Sequence, residues 1–207
     1  MKIVVTAGPT REKIDPVRFI TNLSSGKMGY AIAAAARDAG HETVLISGPV
    51  AISAPAGVRV INVESAQDMF EAVSAEFPQC DMLIMCAAVA DYRPKYPAAG
   101  KMKKAPGDLT LELERTQDIL KTMGERKQPH QILVGFAAET DNLEVYAKGK
   151  LVSKNLDFIA ANLASDGFGS DSNKITLYKR DMSCETIGPA SKDRIAGKLI
   201  SAVTSKA

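Results

Sequence analysis

The chain has 207 residues, 45% of them hydrophobic and 24% charged, with 26 basic against 24 acidic side chains for a net charge of +2. Such a composition excludes a disordered tail or a low-complexity scaffold, and the charge balance excludes a polycationic nucleic-acid binder while leaving room for a local anion site. The length suits one domain whose core needs neither disulfides nor structural metal.

From the amino end, residues 2–6 (KIVVT) form a β-branched run that stops at Ala7, Gly8 and Pro9, which predicts a buried strand. After a long irregular stretch, Met28, Ala31, Ile32, Ala35 and Ala39 share one face of a helix that Gly40 ends. Residues 43–47 (TVLIS) predict a second strand, broken by Gly48 and Pro49, and residues 58–63 a third. Ser65 caps a helix whose apolar positions Ala66, Met69, Phe70, Val73 and Phe77 keep the helical period, and residues 81–86 predict a fourth strand. Strand–helix–strand units of this length imply right-handed crossovers and a parallel, doubly wound sheet. Such sheets bind ligands on the loops that leave the carboxyl ends of their strands.

Two such loops stand out, residues 7–27 and 87–106. The second is rich in Pro, Gly, Ala and Lys, follows neither period and reads as mobile. Beyond it, residues 109–113 (LTLEL) alternate like a half-buried strand. A helix near 118–126, a strand at 132–136, a helix near 143–152 and strands at 158–160 and 174–178 follow. A closing helix carries Ile195, Leu199, Ile200 and Val203. With no repeat and no dividing linker, residues 1–207 read as a single domain.

The run Ser24-Ser25-Gly26-Lys27-Met28-Gly29 stands just ahead of a helix. It suits an anion held by backbone N–H groups, hydroxyls and the positive helix end, or simply a serine cap with glycines for close packing. Met28 stands where a Walker A loop needs Ser or Thr, and the run is not GxGxxG. Pro9 after the first strand, and Ser47-Gly48-Pro49 after the second with no acidic residue, argue against a dinucleotide fingerprint. Tyr146 and Lys150 have the Tyr-x-x-x-Lys spacing of short-chain dehydrogenases, but the preceding strand lacks the serine those enzymes use. Four-apart Tyr and Lys also form an ordinary helix surface.

Lys101, Lys103 and Lys104 are a solvated turn or mobile point charges that close over a triphosphate, and Lys150 and Lys154 repeat the theme at i, i+4. Residues 87–90 have small side chains that let backbone approach a flat base or acyl group, with Asp91 for a polar edge; the plain alternative is a strand end capped by aspartate. Cys86 lies in an apolar strand with no histidine nearby and reads as an inert thiol, and no Ser–His–Asp set is evident. Cys80, Cys86 and Cys184 are scattered, without a CxxC pair, and His41 and His130 are too far apart to suggest a metal cluster. The first apolar run is too short for export, and no stretch approaches the ~20 apolar residues of a membrane span. A cytoplasmic protein with reduced thiols is therefore expected.

Together these segments resemble the phosphopantothenate–cysteine ligase (phosphopantothenoylcysteine synthetase) family of coenzyme A synthesis. In many bacteria it forms the C-terminal half of a protein that also carries a flavin-dependent decarboxylase. The matching stretches are TAGPTREKIDPVRFITNLSSGKMG (6–29), CAAVADYRPK (86–95), GKMKK (100–104), VGFAAET (134–140), the Lys150/Lys154 helix and FGSDSNKITLY (168–178), in order over nearly the whole chain. The start on a first strand suits a free-standing enzyme or half of a fusion.

The resemblance implies a three-layer Rossmann-like α/β fold, with a mostly parallel sheet, helices on both faces and a small C-terminal sheet extension used for homodimerisation. It implies that 4'-phosphopantothenate is joined to L-cysteine through an acyl-cytidylate made from CTP with Mg²⁺, releasing pyrophosphate and then CMP. Carried over by position, Lys101 serves acyl-cytidylate formation and Asn22 its conversion, with the Asn22 amide as donor to the acyl oxygen. Arg18 and Ala88 stand by phosphopantothenate. Met85, Cys86, Ala87, Asp91, Lys101, Gln117, Asp118, Ile119, Leu120, Phe136, Lys150 and Lys154 correspond to nucleotide contacts. Gln117 departs from the usual Pro-Asp-Ile, and Asn162-Leu163 lacks the usual Asp, so Asn162 is not counted as a site residue. No metal ligands are assigned. A reductase would explain only the sheet and Tyr146/Lys150, and a non-catalytic nucleotide sensor would leave Asn22 without a purpose.

Overall fold

The computed structural model describes residues 1–104, 106–163 and 172–205. In chain order the first half comprises β1 (Lys2–Ala7), β2 (Arg11–Lys13), β3 (Phe19–Thr21), α1 (Lys27–Asp38), β4 (Glu42–Ser47), β5 (Arg59–Asn62), α2 (Ala66–Glu76) and β6 (Met82–Met85). The second comprises β7 (Tyr92–Pro94), β8 (Leu113–Arg115), α3 (Ile119–Arg126), β9 (Ile132–Glu139), α4 (Leu143–Ser153), β10 (Phe158–Leu163), β11 (Ser172–Lys179), β12 (Cys184–Ser191) and α5 (Lys192–Thr204).

Eight strands form one sheet in the order β12-β11-β10-β9-β6-β1-β4-β5. All neighbours from β5 to β10 are parallel, while β11 and β12 add on antiparallel. The chain winds outward from β1 through β4 to β5, then returns to the other side of β1 with β6 and continues to β9 and β10. The connections diverge at the β1/β6 junction, so a crevice opens at the carboxyl ends of those strands, where open α/β sheets hold ligands.

Burial on both faces explains why β1, β4 and β6 read as unbroken apolar runs. Ile3, Val5, Leu45, Ile84 and Val134 point to one layer, covered by Ile32, Ala33 and Ala36 of α1 and Ile195, Leu199 and Val203 of α5. Val4, Val44, Ile46, Leu83 and Leu133 point to the other, covered by Met69 and Val73 of α2, Met123 of α3 and Leu151 of α4. This is the three-layer α/β arrangement expected. Among the described residues no helix is long and apolar enough to cross a membrane.

Several local expectations are corrected. The buried face of α1 is Gly29, Tyr30, Ala31, Ile32, Ala33 and Ala36, with Met28 and Ala35 half-buried and Ala39 exposed beyond the last turn. Alanines and a glycine bury as readily as larger residues where a helix lies close to a sheet, which blurs the apolar period. Residues 109–113 do not form the half-buried strand: Leu109 and Leu113 are exposed, and the strand lies at Leu113–Arg115, paired with β7 outside the main sheet. The 7–27 loop holds the unanticipated hairpin β2–β3. The buried Glu12 carboxylate of β2 accepts the Ala66 N–H at 2.8 Å, completing the start of α2 alongside the Ser65–Asp68 capping box. Lys154 lies one residue past α4 rather than on it. Strand β12 was not anticipated, because an edge strand burying only Ile187 carries no apolar pattern. Ala105 and residues 168–171 of the FGSDSNKITLY match lie outside the described residues; its remainder is in β11.

The entry of α1 depends on glycine. Gly26 opens the helix at φ 76°, and a Cβ on Gly29 would stand 2.5 Å from the Ala7 Cβ and 3.0 Å from the Thr6 carbonyl oxygen. Gly29→Ala is therefore expected to lower stability by about 1–3 kcal/mol in urea unfolding, since neither the strand nor the helix has a flexible atom to move aside. An unchanged midpoint would show that α1 is not pressed onto β1.

Candidate active site

Two buried threonines join the loops at the switch point. The N–H groups of Cys86 and Ala87 both donate to Thr6 Oγ1 at 3.1 Å, and the Thr6 hydroxyl donates to Met85 Sδ at 3.7 Å. The Ala88 N–H donates to the Gly8 carbonyl at 2.9 Å, and the Thr10 N–H to the Ala88 carbonyl at 3.3 Å. Thr10 Oγ1 accepts the Ala90 N–H at 3.0 Å, and the Thr116 hydroxyl donates to the Ala90 carbonyl at 2.6 Å. The loop leaving β6 is thereby tied, residue by residue, to the loop leaving β1. Sequence reading missed Thr6 and Thr10; the available signal was a polar residue closing an apolar strand.

Beside this seam lies a cavity of about 750 Å³, lined by residues 23–29, Cys86, Ala87, Ala88, Phe136, Ala137, Ala138, Asn162, Asn173 and Lys192. Cys86, Ala87, Ala88 and Phe136 of the expected set meet here, next to the run ahead of α1. Gly26 offers no side-chain cap, so the first turn of α1 faces the cavity with N–H groups that suit an anion. Met85 differs: its side chain is buried in the opposite core, which leaves its backbone for any contact. Asn162 is not counted as a site residue on sequence grounds, yet it lines the cavity with Asn173 of β11 and Lys192 at the start of α5.

Asn22 sits over the seam. Its Nδ2 donates to the carbonyls of Ala88 at 3.2 Å and Val89 at 3.1 Å. The opposite amide orientation would face an oxygen to two carbonyl oxygens, so the network fixes the assignment. Both amide hydrogens are thus committed to backbone in the free chain, and Oδ1 is the group left for a ligand. Asp91 is exposed, and its carbonyl accepts the Thr116 N–H at 3.0 Å.

A second group lies on the α3/α4 side. Alternation along β9 sends Phe136 and Ala138 toward the cavity and Glu139 the other way, where it meets Lys150 Nζ at 2.6 Å. Asp118 caps α3 by accepting the Lys121 N–H at 3.0 Å and pairs with Lys154 at 2.9 Å, and those contacts hold its carboxyl below the usual range against the opposing effect of burial. Gln117 donates to the Thr122 hydroxyl at 2.8 Å, while Ile119 is buried and Leu120 half-buried. Lys150 and Lys154 are therefore already neutralised by carboxylates, Glu139 at the carboxyl end of β9 being one that sequence reading did not single out.

Arg18 belongs to a third group. It pairs with Asp15, whose carboxylate is fully buried, and its Nη2 donates to the Met102 carbonyl at 3.1 Å. This joins the Arg18 turn to the segment carrying Lys101, here called the flap; Lys101 is exposed, and among the described residues no ion-pair partner is found for it. Among the described residues no three His, Cys, Asp or Glu side chains converge as a metal cage would require.

The model of the DNA/pantothenate metabolism flavoprotein C-terminal domain family matches residues 1–206, and the chain belongs to that family. It is 55% identical over 183 residues to the coenzyme A biosynthesis bifunctional protein CoaBC of Bacillus subtilis (strain 168), covering 86% of this chain and 45% of that protein. Identity is 44% over 206 residues to the protein of the same name from Escherichia coli (strain K12), covering 97% and 50% respectively. A crystal structure of the C-terminal domain of a CoaBC bifunctional protein superposes with a TM-score of 0.86 at 47% identity, covering 99% of this chain and 94% of that one. The chain spans about half the length of the curated relatives it matches.

One thiol, that of Cys86, lies half-buried in the cavity wall. Burial pushes both Cys86 and Cys80 up to about 12, while Cys184 is exposed. A raised thiol pKa leaves the group protonated until the pH nears that value, so at pH 8 only about one thiol in 10⁴ is thiolate. Iodoacetamide at pH 8 is expected to label Cys184 alone in the folded protein and all three cysteines in urea, read by peptide mass spectrometry. Labelling of Cys86 as fast as Cys184 would contradict this.

Proposed function

We propose that this chain is a CTP-dependent phosphopantothenate–cysteine ligase domain, occupying residues 1–207 and acting in coenzyme A synthesis in the cytoplasm. It makes 4'-phosphopantothenoyl-L-cysteine. The observation that carries the reading is the Asn22 amide clamped onto the Ala88 and Val89 carbonyls, beside the cavity at the carboxyl ends of β6 and β9. The relatives named as coenzyme A biosynthesis proteins support it.

In the first step the carboxylate of 4'-phosphopantothenate attacks the α-phosphorus of CTP, and the bond to the bridging oxygen breaks to release pyrophosphate. Two anions approach each other, so the chain's task is positioning and neutralisation. Lys101 supplies a mobile positive charge, and Arg18 a guanidinium for the phosphopantothenate end. Backbone from Met85 to Ala88 approaches the cytosine closely, Asp91 takes its polar edge, and Phe136 covers it. Gln117, Asp118, Ile119 and Leu120 border the phosphates. Lys150 and Lys154 turn to the phosphates by exchanging Glu139 and Asp118 for a more strongly charged partner; exposed pairs of this kind are worth only about 0–1 kcal/mol, so the exchange is easy.

Magnesium would supply further charge neutralisation on the triphosphate. The residues present fit an ion carried by substrate phosphates better than one held in a protein cage. In the second step the cysteine amine attacks the acyl carbon, a tetrahedral oxyanion forms, and CMP leaves with the bonding pair. Asn22 serves here by transferring an N–H from a backbone carbonyl to the acyl oxygen while Oδ1 accepts from the amine. No covalent enzyme intermediate is needed. The reading includes a homodimer built on the β11–β12 extension and a flavin-dependent decarboxylase as companion domain.

Mixing CTP, Mg²⁺, 4'-phosphopantothenate and cysteine with the protein is expected to yield one CMP and one pyrophosphate per amide formed. Lys101→Gln should slow pyrophosphate release by roughly 10²-fold or more. Asn22→Asp should leave that release intact and accumulate the acyl-nucleotide, detectable by quenched-flow mass spectrometry, because a carboxylate has no N–H to give. Normal turnover by Asn22→Asp would refute its role, and hydrolysis of ATP with no use of CTP would refute the nucleotide choice.

A further inference from the structure

Asp15 was not among the residues read from the sequence, and the cavity does not include it. Its carboxylate is fully buried, yet it forms no part of the apolar core. Each oxygen has a separate task. Oδ1 accepts the N–H groups of Val17 at 2.9 Å and Arg18 at 2.8 Å, closing the turn that carries Arg18. Oδ2 accepts Arg18 Nε at 3.0 Å and Nη2 at 2.5 Å, and also the Met102 N–H at 3.1 Å from 87 residues along the chain. Arg18 Nη2 then donates to the Met102 carbonyl at 3.1 Å, so the guanidinium and carboxylate together hold both backbone polar groups of one flap residue. The flap's base is fastened independently, by the Ala98 N–H to the Ile14 carbonyl at 2.9 Å.

We infer that Asp15 is a positioning residue that docks the Lys101-bearing flap onto the Arg18 turn, so that the cation of the first step and the guanidinium for the phosphopantothenate end are set in place by one carboxylate. Met102 is the neighbour of Lys101, and its capture on both sides fixes the direction from which the Lys101 side chain emerges. A flexible cation on an untethered loop would have to be ordered during the reaction; a docked one is already placed. The bonds from Arg18 and from backbone N–H groups hold Asp15 well below the usual carboxylate range, so the tether is charged throughout the neutral range. The inference rests on the proposed role of Lys101, but the docking itself is independent of it.

Asp15→Asn separates the two tasks. The amide oxygen can keep the Val17 and Arg18 N–H bonds, while its NH₂ meets three donors and can accept from none. The test compares the ligand-free wild-type and Asp15→Asn proteins by limited trypsin digestion and then by separate measurement of the two half-reactions. Cleavage after Lys101, Lys103 and Lys104 is expected to accelerate by roughly tenfold or more, because cleavage follows the population of the undocked flap. Cleavage elsewhere and the melting temperature should change little. Pyrophosphate release without cysteine should slow by roughly tenfold or more, with the KM for cysteine unchanged, a split that a general loss of structure would not give. Unaltered flap cleavage overturns the docking, and a loosened flap with normal pyrophosphate release overturns the positioning role. Should wild type release no pyrophosphate from CTP, the ligase reading fails while the digestion still decides whether Asp15 holds the flap.

Discussion

Two threonine hydroxyls, from Thr6 and Thr10, hold the loop leaving β6 against the loop leaving β1, and the site takes its shape from that seam. From Cys86 to Ala90 only Ala88 is bridged to the first loop by backbone alone, and a buried amide without a partner costs roughly 1–3 kcal/mol. Thr6 satisfies two such amides with one oxygen. Valine would fill the same space in the strand, but it would leave the loop free to adopt other paths. The seam therefore converts an ordinary strand end into a fixed wall of backbone and small side chains, against which a planar group can lie.

Charge is arranged differently from shape. Lys150 and Lys154 each rest on a carboxylate, Glu139 and Asp118, and Arg18 rests on Asp15. Lys101 alone of these sits on an exposed flap without an ion-pair partner among the described residues. Pairing weakens the local field and avoids a concentrated positive patch that would draw unrelated polyanions. The half-exposed pairs can yield to a triphosphate. The Asp15–Arg18 pair, whose carboxylate is buried and bears additional backbone bonds, is built to persist.

The sheet was legible because strands buried on both faces advertise themselves as apolar runs, and the cap at Ser65 marked a helix start by chemistry that is local in sequence. What escaped was non-local or small. The hairpin β2–β3, the β7–β8 pair and the edge strand β12 bury too little to impose a pattern. The α1 face was misjudged because Gly29 and the alanines pack by the absence of side chain. At the site, motif matching placed Cys86, Ala87, Ala88 and Phe136 together, as they are found. It passed over Thr6, Thr10 and Asp15, whose importance lies in bonds to backbone about 80 residues distant. Asn162, discounted for an atypical neighbour, proves to line the cavity, since its position at the end of β10 places it there whatever residue follows.

The claim on which the functional account turns is that a nucleotide lies across the carboxyl ends of β6 and β9. The most direct measurement is a crystal structure with CTP bound. The base is expected against the backbone of Cys86–Ala88 and beside Phe136, with Lys150 drawn from Glu139 onto a phosphate oxygen. CTP seated away from β6 and β9, with the Lys150–Glu139 pair undisturbed, would contradict it.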